Sequence, residues 1–183
     1  MLFNSVFIFL IILNLSFLKA ALTKKQKQFI LDAHNTVRLK LRKGTVPDEP
    51  KAEKIDYLHW STELANNAQR YANQCRFLHE DKAFRKSKKY SYTGQNLYAG
   101  SNIKKSVKKW YQEHYNYNYA SNSSPNNKMF GHYTQLVWAN TKEVGCASRK
   151  CKGVPGFNYD YLLVCNYGPG GNIKGEWPYK AAK

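Results

Sequence analysis

The chain has 183 residues, 43% of them hydrophobic, and carries 29 Lys and Arg against 12 Asp and Glu, a formal net charge of +17. That length suits one compact domain. The basic excess invites a polyanion, but the absence of a Gly-rich phosphate loop and of a helix-turn-helix pattern argues against nucleotides and nucleic acid. Acidic lipid headgroups and sulfated glycans are the expected polyanionic partners.

From Leu2 to Leu18 the chain is almost continuously apolar, and it passes through Lys19-Ala20-Ala21 into the polar run Thr23-Lys24-Lys25-Gln26-Lys27. This pattern predicts a secretory signal peptide over residues 1–20, cut after Ala20. One domain is expected over residues 21–183, exported to the extracellular space, with no transmembrane segment in the mature chain. Four cysteines, Cys75, Cys146, Cys151 and Cys165, follow the leader. An even number on an oxidising export route predicts two disulfides, with three pairings open. No Cys-x-x-Cys spacing supports a cysteine zinc site.

Residues 24–42 read as a helix, opened by a Thr23/Gln26 capping box, with Phe29, Ala33, Val37 and Leu41 as its apolar stripe. A second helix starts at Ser61 and carries Leu64, Ala65, Ala68, Tyr71, Ala72 and Cys75 at helical spacing, delivering His79 beyond its end. A third, residues 103–117, places Ile103, Val107, Trp110, Tyr111 and His114 on one face, lysines on the other and Glu113 at the border. After a polar Asn/Ser-rich loop over residues 116–128, the period changes to two. Strands are predicted over residues 132–138, 143–148 and 159–167. Helices first and strands later suggest a layered α+β domain. Asn122-Ser123-Ser124 fits the N-glycosylation acceptor pattern, which would make the chain a glycoprotein at Asn122.

Four segments carry a resemblance: His34-Asn35-Thr36-Val37-Arg38, Gly94-Gln95-Asn96-Leu97, Gly131 to Thr141, and Leu162 to Ile173 around Cys165-Asn166-Tyr167. On these, in this order, the chain resembles the CAP superfamily of cysteine-rich secretory, venom-allergen and plant pathogenesis-related proteins, as a secreted venom-allergen-like member with one CAP (SCP) domain. The resemblance implies a three-layer α-β-α sandwich with a central antiparallel sheet, stapled by Cys75–Cys151 and Cys146–Cys165. It also implies a cleft gathering His79, Gln95, Glu113 and His132, with Gln95 at a position usually held by glutamate. His34 and Asn35 are expected to tie the first helix to the sheet, and Arg38 to form an ion pair.

An amide at position 95 removes a titratable group, so paired-carboxylate acid/base catalysis is not expected and the chain reads as non-enzymatic. No obligatory cofactor follows. A divalent metal such as zinc suits the neutral imidazoles of His79 and His132. The family likeness further implies binding of a small lipid, a fatty acid or sterol, between helical walls that include Phe29, Val37, Val107, Trp110 and Tyr111. Two alternatives remain. One is an extracellular interaction or immunomodulatory protein meeting polyanions or host proteins through basic clusters at Lys82, Arg85, Lys86, Lys88 and Lys89 and at Lys104, Lys105, Lys108 and Lys109. The other is a metal-dependent hydrolase using zinc beside Glu113, for which neither a His-Glu-x-x-His helix nor a Gly-x-Ser-x-Gly elbow is present.

Overall fold

Helix α1, Lys24–Lys43, begins at the Thr23 capping box: Gln26 N donates to Thr23 Oγ1 and Thr23 N donates to Gln26 Oε1. It stops at Gly44, whose φ of 69° is left-handed, while Lys40, Arg42 and Lys43 in the last turn complement the negative end of the helix dipole. A computed structural model of the chain describes residues 22–85 and 87–183, and the leader expected over residues 1–20 lies outside them. The buried stripe of α1 is Ile30, His34, Val37, Arg38 and Leu41, so its core-facing line is turned relative to the predicted one. Phe29 falls at the margin, 43% exposed.

The remaining elements, in chain order, are β1 (His59–Trp60), α2 (Thr62–Ala72), β2 (Gly94–Gly100), α3 (Ser106–Gln112), α4 (Gly131–Leu136), β3 (Glu143–Lys150) and β4 (Tyr161–Gly168). Ser61 caps α2 by accepting from Leu64 N. The expected third helix is shorter than its apolar pattern: α3 is a single α segment flanked by 3₁₀ turns at Ile103–Lys105 and Glu113–Asn116.

The strand expected over residues 132–138 is instead helix α4. Its residues Tyr133, Thr134, Gln135 and Leu136 are all buried, so there is no solvent-facing stripe to report a helical period, and apolar and polar side chains alternate by accident.

The sheet order is β1-β3-β4-β2, antiparallel throughout except for the two-residue β1, which runs parallel to β3 at the edge. Alternation along β4 separates the layers. Leu163, Cys165 and Tyr167 join the core beneath α1, α3 and α4, whereas Leu162 and Val164 pack with Ala68, Tyr71 and Ala72 of α2. The result is the α-β-α sandwich, with α2, among the described residues, as the helix on one face.

Contact between α2 and β3 is close enough to require glycine at position 145, where a Cβ would lie 2.2 Å from Ala65 N. Cys146–Cys165 links β3 to β4, and Cys75–Cys151 ties the end of α2 to the end of β3.

Three polar side chains fasten α1. His34 Nδ1 lies 2.7 Å from Ile30 O and so donates, which leaves Nε2 to accept from the Tyr167 hydroxyl at 2.8 Å. Asn35 exchanges two bonds with the backbone of Leu58. Arg38, expected to form an ion pair, bonds no carboxylate among the described residues. Its guanidinium is buried and donates to the carbonyls of Asp56, Leu136, Trp138, Ala139 and Thr141. The fork of donors gathers carbonyls left over where α4 ends and the chain turns into β3, an accounting problem that a carboxylate partner would not solve.

The last residues close over the other end of α1. Glu53 N donates to Lys180 O and Ala182 N donates to Lys51 O, while the Tyr179 hydroxyl donates to buried Glu49 at 2.8 Å. Burial pushes the Glu49 carboxyl up to about 7, against the opposing hydrogen bond of Tyr179.

Candidate functional site

Edge strand β2 positions Gln95 opposite Asn166 of β4. The Gln95 side chain is oriented by a backbone group: Glu80 N donates to Oε1 at 3.1 Å, and an amide N–H can face only the oxygen end. His79 Nδ1 lies 3.0 Å from that same oxygen and therefore carries the proton. Gln95 Nε2 in turn donates to Asn166 Oδ1 at 3.2 Å, leaving the buried Nδ2 of Asn166 without a partner among the described residues. The His79 ring is thus held as the Nδ1–H tautomer with a lone pair on Nε2. Burial lowers its pKa, the Gln95 bond opposes that shift, and nearby Arg85 and His132 add to it.

Glu113 reaches His132 from the turn after α3. Helix α4 has no side-chain cap of its own, so its first N–H groups need an acceptor from elsewhere. Glu113 Oε2 accepts from His132 N at 2.9 Å and from Tyr133 N at 3.4 Å, and a carboxylate at this helix end also complements the dipole. Its other oxygen lies 2.7 Å from His132 Nδ1. In the neutral ring that contact sets the second tautomer: Nδ1 donates to the carboxylate and Nε2 holds the lone pair.

The two imidazoles face one another with ring centroids 6.4 Å apart and planes inclined by 38°. Trp110 is buried and stacks on His132 at 5.9 Å and 20°, with its indole N–H donating to Leu97 O. A cleft of about 780 Å³, lined by Arg70, Arg76, Leu78, Glu80 and Phe84 among others, opens onto His79. Among the described residues no group of three or more His, Cys, Asp and Glu side chains is arranged to hold a metal ion. The donor set present is therefore two imidazole nitrogens, with Glu113 and Gln95 engaged behind them.

The cysteine-rich secretory protein family model, CAP, matches residues 31–167. The chain belongs to this family. Scoloptoxin SSD976 of Scolopendra dehaani is 42% identical over 164 residues, covering 87% of this chain and 76% of the toxin. Venom allergen 5.02 of Vespa crabro is 41% identical over 173 residues, covering 88% and 83%. Among solved structures, venom allergen-like protein 4 of Schistosoma mansoni superposes with a TM-score of 0.77 at 31% identity, covering 88% of this chain and 97% of that one. A structure described as NaASP2 with Zn2+ superposes at 0.72 and 27% identity, covering 88% of each. The chain is thus a venom-allergen-like CAP protein. A secreted location agrees with its venom and toxin relatives, and no helix among the described residues is long and apolar enough to cross a membrane.

In this CAP domain the expected lipid walls have mixed fates. Val37, Val107 and Trp110 are core residues, Tyr111 is half-buried, and Phe29 is partly exposed beneath the Lys104 ammonium. The gap between Phe29, Ile30 and Ile103 has no room for a water molecule. Of the first basic cluster, Arg85 is buried, Lys82 lies over the Tyr92 ring and Lys89 pairs with Glu143 at 2.6 Å. Asn122 Nδ2, the atom a glycan would occupy, donates to Glu176 O.

Sequence reasoning passed over Asn166 and gave Trp110 another role. Asn166 sits inside a quoted motif, and its type could have marked it, since a fully buried asparagine requires polar neighbours. Nothing local to residue 110 announces that its ring stacks under an imidazole 22 positions later in the chain.

Proposed function

We propose that this chain is a non-catalytic, extracellular CAP domain whose cleft takes a divalent cation of the zinc type on His79 Nε2 and His132 Nε2. The observation that carries the reading is that both Nδ1 atoms are already committed to fixed oxygens, Gln95 Oε1 and Glu113 Oε1. Each ring is held in the tautomer that leaves Nε2 as a ligand, the usual way an outer oxygen prepares a metal-binding histidine. The relative described with Zn2+ supports it by analogy. Two imidazoles leave the remaining coordination positions to solvent or to a bound molecule.

Catalysis is disfavoured by the residues behind the rings. Gln95 has no proton to exchange near neutral pH, and Glu113 is occupied by two backbone N–H groups and one imidazole. Carriage of a fatty acid or sterol between the start of α1 and the 3₁₀ turn at Ile103–Lys105 would require the two to part, because the gap there has no room for a water molecule.

The test is calorimetric titration of the secreted chain with zinc, alongside His79→Ala and His132→Ala. One ion per chain, lost in both variants without loss of fold, is the expected result. Undiminished binding in either variant overturns the assignment.

A further inference from the structure

The rim of the cleft carries three large apolar side chains in the open: Phe77 is 53% exposed, Leu78 62% and Phe84 69%. A folded chain does not ordinarily leave three such groups within eight residues of one loop facing water. They extend across the Cys75–Cys151 bridge, because Phe77 meets the half-exposed Tyr159 ring at 6.2 Å on the loop before β4. The sequence around them is basic, with seven Lys and Arg between residues 70 and 89 against two acids. Of those acids, Glu80 is buried and held by Arg70 at 3.2 Å, while Asp81 is exposed.

We infer that this rim docks the protein on an anionic phospholipid bilayer, with Phe77, Leu78 and Phe84 entering the headgroup boundary and Arg76 and Lys82 meeting lipid phosphates. Interfacial binding needs apolar area that inserts together with positive charge attracted to an acidic leaflet. Both occur here on one loop. A sulfated glycan would reward the charge but not the apolar side chains, and part of the expected glycan cluster is unavailable, since Arg85 is buried and Lys89 is paired. Docking in this pose sets the mouth of the His79 cleft against the membrane. It does not depend on the cleft holding a metal.

The experiment is co-sedimentation of the chain, secreted from a eukaryotic host and kept in chelator, with vesicles of phosphatidylcholine containing phosphatidylserine and with phosphatidylcholine alone. Two variants accompany it: Phe77→Ser/Leu78→Ser/Phe84→Ser and Arg76→Gln/Lys82→Gln, each checked for native circular dichroism. All five side chains are on the surface, so the fold does not rest on them. Strong pelleting only with the acidic vesicles is expected, weakened roughly tenfold or more by the apolar triple and weakened also by the charge pair. Unchanged vesicle binding in the apolar triple, equal binding to neutral vesicles, or heparin retention without vesicle binding would each overturn the inference. Because the vesicle assay is run in chelator, docking is read with no cation bound, which separates failure of docking from failure of the cation site.

Discussion

His79 Nδ1 sits 3.0 Å from the amide oxygen of Gln95, and that oxygen is fixed in place by the backbone N–H of Glu80. An amide holds the imidazole neutral without adding charge. A carboxylate at the same position would favour the imidazolium and raise the His79 pKa above that of the parent. Gln95→Glu therefore shifts the His79 titration upward, read from its ring carbon-proton signals in an NMR pH series. An unmoved titration would mean that Gln95 does not govern this ring. The fold should survive, because turning the Asn166 amide would present its unpartnered Nδ2 to the new carboxylate.

Glu113 serves a helix it does not belong to. Glu113→Ala removes the acceptor for His132 N and Tyr133 N, and should cost about 1–2 kcal/mol in denaturant unfolding, as loss of a helix cap does. Glu113→Gln retains an acceptor for those N–H groups and should lose less. The two variants part from a purely local surface change because both also disturb the His132 tautomer and so weaken zinc binding.

Two buried groups push stability in opposite directions with pH. The Glu49 carboxyl is raised from 4.5 to about 7, so the folded state holds its proton more tightly than the unfolded one, and its contribution is full below 4.5 and lost as pH rises to 7. His34 is lowered from 6.5 to about 4, first by burial and also by Arg38, so its contribution is full above 6.5 and lost as pH falls to 4. Between 4.5 and 6.5 the two slopes oppose each other. Glu49→Gln keeps an acceptor for Tyr179 and removes one of them. The variant should be more stable than the parent at pH 8, by at most about 3 kcal/mol, and should weaken progressively on acidification from 6.5. Urea midpoints across that range decide it, and parallel curves for the two chains would refute it.

The parts of the fold that announce themselves in the sequence are those with a capping residue or a sustained run of strand-forming residues between turns. Thr23 and Gln26 mark the start of α1, Ser61 marks that of α2, and β3 and β4 appear within a few residues of their predicted limits. Helix α4 and strand β2 are hidden for one reason. Tyr133 to Leu136 are buried without a break, as are Gly94 to Leu97, and an element covered all round leaves no periodic polar signature. Strand β1 is only two residues long and is defined by its neighbour β3.

The cleft was legible as residue types but not as chemistry. Family motifs pointed to His79, Gln95, Glu113 and His132, which form two hydrogen-bonded pairs with their imidazole centroids 6.4 Å apart. The identity of the free ring nitrogen depends on Glu80 N, which orients the Gln95 amide, and on the reach of Glu113 to His132 Nδ1, neither of which a side-chain pattern reports. Arg38 shows the same limit: an arginine in a helix suggests a carboxylate, whereas its five carbonyl partners come from distant turns.

Cys75 belongs to the part of the chain before the loop at residues 119–130, and Cys151 to the part after it. A protease that cut this loop would leave two polypeptides still joined by a covalent strap. Such a nicked molecule would migrate as one band without reductant and as two with it. Wherever such a protease acts, the bridge separates the integrity of the particle from the integrity of the chain.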